Sequence, residues 1–222
     1  NKNEFCPTII HFAQYEIPFL KYLIDSFTSL ETSPFSILCT HKISKRLWPD
    51  LPRKGLRAIA GFLGWTVETS RRSNFHVDAT AWIWRYCLEY FQTQKIQTWA
   101  ELDQWLIMPV KKTSTTRSYP MNPEKRKNLP QEPGVYHMFR SNGDLLYVGK
   151  ATSLKQRINS YFRKSSKHAE HILEMLSQSV DLTITQTHSA LEAALLETDD
   201  IKNLNPPYNR ALTLKERQLK FL

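Results

Sequence analysis

Residues 134–150 read GVYHMFRSNGDLLYVGK, two short runs rich in aromatic and β-branched residues on either side of SNGD. Runs of that composition favour strands, and Asn142-Gly143 is the preferred pair for a two-residue type I′ hairpin loop. With those two residues as the loop, Ser141 pairs with Asp144, Met138 with Tyr147 and Tyr136 with Gly149. Tyr136 and Tyr147 then share one face as diagonal neighbours, about 7 to 8 Å apart or less, and Gly149 leaves open space beside the Tyr136 ring.

Downstream, Ser153 opens a helix with Gln156 at the capping-box position, and a second helix runs near His168 to Ser177. VDLTITQT alternates like a strand, and Ser189 with Glu192 caps a final helix. The order β-β-α-α-β-α predicts a small three-stranded antiparallel sheet covered by helices. In the first helix Leu154, Ile158 and Phe162 form an apolar stripe, with Arg157 and Tyr161 one turn apart along its edge. In the last, Glu197 falls among Ala190, Ala193, Ala194 and Ile201, where an uncompensated carboxylate is costly, so a groove holding a cation is expected there.

A carboxylate that binds a divalent ion, an arginine and a tyrosine suit phosphodiester hydrolysis. The ion neutralises phosphate and leaving oxyanion, the arginine adds charge, and the tyrosine accepts a proton from water. With an ordinary pKa of about 10, the tyrosine needs a nearby cation, which Lys150, Arg157 or the metal would supply. Each residue also has a plainer reading: tyrosines in a hairpin pack cores, Arg157 would be a surface charge and Glu197 a solvated helix residue.

Taken jointly, Gly134-Val135-Tyr136, Tyr147-Val148-Gly149-Lys150, Arg157, Tyr161, Glu197 and Asn209 in PPYN resemble the GIY-YIG nuclease family, in its UvrC and Cho excinuclease branch. The resemblance runs from Leu129 to about Leu212. It implies one Mg2+ or Mn2+ on Glu197, Tyr147 as general base and Arg157 on the scissile phosphate. Tyr136, Lys150, Tyr161 and Asn209 would complete the hydrogen-bond network. It further implies the 3′ incision of nucleotide excision repair on damaged or distorted DNA, with a loading partner such as UvrB, and a Cho-like enzyme is the closer analogy.

Upstream, PTIIHFAQYEIPFLKYLIDSF reads as a short strand entering an amphipathic helix, FSILCTHKI as a buried strand, and three helical patterns follow in 51–65, 78–91 and 98–108. Thr98 with Glu101 makes a capping box. IIHFAQYEIPFL, the segment after Cys39 and DATA are similar to DnaQ-like (DEDDh) exonucleases, a family with an RNase H-like α/β fold. That likeness would place Glu16 and Asp78 among metal ligands, with His76 near the base position, though displaced on a loop. The first strand with its Asp-x-Glu pair lies upstream of Asn1 or does not exist, and Ser73 stands where the catalytic His is expected, so an exonuclease site on these residues reads as vestigial.

These readings divide the chain into 1–108, a partial exonuclease-type α/β domain; 109–128, a basic linker; and 129–222, an α+β nuclease domain. Lys111, Lys112, Arg117, Lys125, Arg126 and Lys127 against Glu124 give the linker 6 − 1 = +5 of the chain's +9; it is either simply solvated or also touches phosphates. Cys6, Cys39 and Cys87 lack metal-ligand or disulfide spacing, and no apolar run reaches the roughly 18 to 20 residues of a membrane span. A cytoplasmic, nucleoid-associated protein is expected, and a start at Asn1 suggests a piece of a longer chain. Two other functions fit the same residues: a 3′–5′ exonuclease of the DNA polymerase III epsilon type with an inactive GIY-YIG appendage, and a non-catalytic DNA-repair recruitment module.

Overall fold

The computed structural model describes residues 7–27, 36–66, 73–109, 118–163 and 167–210. Its elements in chain order are β1 (Thr8–Ile10), α1 (Ala13–Phe27), β2 (Ile37–Cys39), α2 (Thr40–Leu47), α3 (Leu56–Phe62), α4 (Ser73–Thr93), α5 (Trp99–Ile107), α6 (Glu124–Lys127), β3 (Gly134–Phe139), β4 (Leu145–Ala151), α7 (Leu154–Ser160), α8 (Glu170–Leu176), β5 (Asp181–Gln186) and α9 (Ala190–Leu204). Two compact units result: 1–49, 54–56 and 70–113 form the first, and 50–53, 57–69 and 114–222 the second.

In the first unit β1 and β2 pair in parallel, Ile9 opposite Leu38. Ala79, Ile83, Cys87 and Phe91 recur every fourth residue along α4 and are all buried, which is why this stretch is a helix with one core face. The capping box at Thr98 is formed, Thr98 accepting from Glu101 N and Glu101 accepting from Thr98 N. Two expectations change. The strand read in FSILCTHKI is only Ile37–Cys39, and from Thr40 the chain turns helical, with Ser44 bonding back to the Thr40 carbonyl. His76 lies within α4 rather than on a loop. Among the described residues no helix is long and apolar enough to cross a membrane.

In the second unit the sheet order is β4-β3-β5, antiparallel throughout, as the β-β-α-α-β-α order predicts. Tyr136, Met138 and Leu146 pack with Leu154 and Ile158 of α7 and Met175 and Leu176 of α8 on one side of the sheet. Val135 and Val148 pack with Ala193 and Ile201 of α9 in a second cluster. A small sheet with a helical cover on each face can bury both sets of alternating side chains.

The register Tyr136↔Gly149 and Met138↔Tyr147 is the one read from the sequence. The turn is not. Gly143 N bonds to Arg140 O, only Gly143 in the loop has positive φ (+87°), and the register shifts between Met138 and Phe139, so Phe139 meets Leu145. A type I′ loop needs positive φ at both central residues, and Asn142 does not adopt it; the hairpin instead closes with a longer loop and a bulge. Asn142 spends its side chain on Gly64 O, Thr66 and Asp144, and the buried Arg140 reaches Gln178, Trp65 O and Asp144. These bonds explain why 57–69 groups with the second unit, whereas the expected 1–108 domain included it.

The expected linker also divides. Lys111, Lys112 and Arg117 lie outside the described residues, as does Cys6. Residues 118–128, however, are part of the fold: Met121 is buried, Arg126 bonds Asn159 and stacks on Phe162, and Lys125 pairs with Asp181. Two of the six basic residues, Lys125 and Arg126, are thus spent inside the second unit.

Candidate active site

β3 and β4 bring the two hairpin tyrosines onto one face, their ring centroids 6.1 Å apart. The expected space at Gly149 is filled by those rings: a Cβ there would lie 2.5 Å from Tyr136 Oη and 2.7 Å from Tyr147 Cε1. Glycine is therefore required by side-chain proximity, not by an unusual φ. Tyr161, at the C-terminal end of α7, joins them, its hydroxyl 2.8 Å from that of Tyr136 and hydrogen-bonded to Tyr147. Arg157, one turn earlier, donates to Tyr136 and lies 5.1 Å from the Tyr161 ring centre.

Burial raises the pKa of Tyr136 and Tyr147 well above the ordinary phenol value. The neighbouring Tyr161 adds to the rise at Tyr147, and Arg157 opposes it without winning. Of the three cations expected to supply the activating field, Lys150, Arg157 and the metal, Arg157 acts on Tyr147 in the expected direction but does not outweigh burial. Lys150 is committed elsewhere.

On α9, Glu197 lies between the buried Ala193 and Ile201 and keeps 13% of its side chain exposed. Both of its oxygens are used by one residue: Lys150 N donates to Oε1 at 3.1 Å, and Lys150 Nζ to Oε2 at 2.6 Å. The cation expected beside this carboxylate is the lysine of the strand. A hard carboxylate oxygen at a water-accessible rim fits Mg2+, which typically takes one or two carboxylates and fills its remaining positions with water and substrate phosphate. No group of three His, Cys, Asp or Glu side chains is placed to hold a metal among the described residues.

Asn209 is brought in by the chain after α9. The helix stops at Asn205, whose φ of +45° is the left-handed cap. The following PPYN runs along the free edge of β4: Tyr208 N bonds Leu146 O, and the Asn209 amide both accepts from Val148 N and donates to Val148 O. Asn209 therefore pairs as a strand residue would, next to Tyr147.

Ser153 is the N-terminal cap residue of α7 but makes no side-chain cap. Leu154 N bonds Glu132 O and Lys155 N bonds Pro130 O, and Ser153 Oγ is buried without a partner. Arg163, missed in the sequence reading, lies beside Arg157 in the wall of one cavity; the polar spacing Ser153, Gln156, Ser160, Arg163 was the available signal. Of the exonuclease-type residues, Glu16 is exposed on α1, and His76 and Asp78 are exposed on α4. They form no metal-binding group among the described residues.

Comparison with known proteins follows the same residues. Residues 132–210 match the family profile of the UvrC-like GIY-YIG domain. Over 83 residues the chain is 49% identical to UvrABC system protein C of Alkalilimnicola ehrlichii and 51% identical to that of a Psychrobacter species. The match covers 37% of this chain and 13% of each relative, so the chain spans about an eighth of the length of those curated proteins. The GIY-YIG N-terminal endonuclease domain of UvrC from Thermotoga maritima, solved bound to its catalytic divalent cation, magnesium, is 32% identical; the match covers 40% of this chain and 94% of that one, with a TM-score of 0.35. Residues 132–210 are a UvrC-like GIY-YIG endonuclease domain, a nuclease fold that hydrolyses phosphodiester bonds.

Proposed function

We propose that this chain is a metal-dependent, structure-specific DNA endonuclease that makes the 3′ incision of nucleotide excision repair, with Mg2+ or Mn2+ held by Glu197. The observation that carries the reading is the convergence of Glu197, Arg157 and three hydrogen-bonded tyrosines around β4. A divalent ion bound at Glu197 supplies charge neutralisation at the scissile phosphate and the leaving oxyanion. Arg157 contacts the scissile phosphate, adding a fixed positive charge where negative charge builds up. Tyr147 accepts a proton from the attacking water, and Tyr161 and Tyr136 hold its phenol in place. Lys150 sets the Glu197 carboxylate, and Asn209 secures the strand that carries Tyr147.

The substrate in this reading is damaged or distorted duplex DNA, presented by a loading protein of the UvrB kind in the cytoplasm, at the nucleoid. Phosphate contacts position the enzyme and carry no sequence information, so sequence-specific cutting is not expected. Residues 1–108 are read as a partial exonuclease-type domain retained for positioning, 109–128 as a basic connection and 129–222 as the nuclease. Glu16, His76 and Asp78 are assigned no catalytic role, which disfavours a polymerase III epsilon-type exonuclease.

The test is cleavage of a labelled duplex with one bulky adduct, also offered pre-nicked and partly unpaired, in Mg2+ or EDTA. Metal-dependent cutting 3′ of the adduct, lost in Tyr147→Phe and Glu197→Ala with binding kept, is expected. Binding without cutting on every substrate would leave a recruitment module instead.

A further inference from the structure

Beside the tyrosine cluster lies a cavity of about 550 Å3 whose wall includes Lys150, Arg157 and Arg163, together with Ser153 and Gln156, and contains no carboxylate. Its three cations are not equivalent. Lys150 is held by Glu197, and Arg157 is engaged with Tyr136. Arg163 is exposed and pairs with no carboxylate among the described residues. One polar atom in the wall, Ser153 Oγ, is buried and lacks a hydrogen-bond partner.

A DNA strand carries a charge every 3.4 Å or so of helix axis, so a phosphate held at Arg157 brings its neighbours against the same wall. We propose that this cavity seats a backbone phosphate next to the scissile one, held by Arg163 and by the Gln156 amide. This rests on the nuclease reading for its ligand. The two arginines then grip consecutive points on one strand, so the flanking contact sets where along the backbone the reacting phosphate stops. Arg163 is a positioning residue: it fixes register without touching the reacting atoms, and its contribution is independent of base sequence.

The experiment measures binding of the full chain to a fluorescent duplex in EDTA over a salt series, for wild type, Arg163→Ala and Lys202→Ala, the last removing an equal charge on an exposed face of α9. Loss of one phosphate contact should reduce the slope of log K against log salt by about 0.9 in Arg163→Ala and leave it unchanged in Lys202→Ala. A scan of single methylphosphonates should find one position that weakens wild type but has no further effect on Arg163→Ala. An unchanged slope, equal slope losses in both variants, or additive effects at every methylphosphonate overturns the subsite. Should wild type cut no substrate, the nuclease reading fails while slope and scan still decide the phosphate contact. Normal cutting with an unaltered Arg163→Ala slope removes only the subsite.

Discussion

Lys150 binds both oxygens of Glu197, its backbone N–H taking Oε1 and its ammonium Oε2. The backbone bond anchors the carboxylate to β4, while the half-exposed ammonium occupies an oxygen that a divalent ion would need. Replacing Lys150 by Met should therefore tighten Mn2+ binding several-fold, the scale of a partly exposed ion pair, while cleavage falls. Isothermal titration with Mn2+ measures the first effect. Weaker Mn2+ binding in the variant would show that the ammonium helps build the site rather than competing for it.

Burial holds the Tyr147 phenol protonated far above neutral pH. If its phenolate is the base, the reactive fraction grows about tenfold per pH unit below the pKa. Initial cleavage rates in saturating Mg2+ should climb through pH 6.5 to 9 without a plateau. A flat profile would exclude Tyr147 as the base.

Gly149→Ala forces a methyl group against two rings backed by a packed core. Rigid aromatic neighbours yield poorly, so a cost of about 1 to 3 kcal/mol is expected, with loss of cleavage from the displaced rings. Thermal melting by circular dichroism reads the stability. A variant as stable and active as wild type would mean that the rings move aside freely.

Asn209→Ala removes the two bonds that cover the Val148 backbone. About 1 to 3 kcal/mol of local stability should be lost, and the Val148 amide should exchange with deuterium markedly faster. Unchanged protection at Val148 would place the role of Asn209 elsewhere in the site.

In the first unit, His11 is buried between Thr40 and Lys54 O, and burial lowers its pKa from 6.5 to about 4. The unfolded chain then binds the proton better, so the stabilising effect is complete above pH 6.5 and is lost as pH falls towards 4, about 3 kcal/mol in all. His41 shifts the same way, also to about 4, through burial and then Lys45 and Lys54. Five of the six tryptophans, 48, 82, 84, 99 and 105, lie in this unit, so urea unfolding followed by tryptophan fluorescence reports it. A midpoint independent of pH between 6.5 and 4 would contradict the assignment.

The amino-acid sequence by itself determined the strand and helix order of the nuclease unit and the pairing of Tyr136 with Gly149 and Met138 with Tyr147. Those features follow from periods of two and 3.6 residues and from short-range turn and capping chemistry, all readable within a few positions. Tertiary structure alone decided the rest, because each remaining choice was a competition between distant partners. Asn142 was drawn out of a type I′ turn while bonding Gly64 and Thr66, and Ser153 makes no side-chain cap although Lys155 N bonds Pro130 O. Two residues of the basic stretch, Lys125 and Arg126, were folded in against Asp181 and against Asn159 and Phe162. Glu197 found its cation at Lys150, 47 residues away, where only packing of α9 against β4 could bring the two charges together.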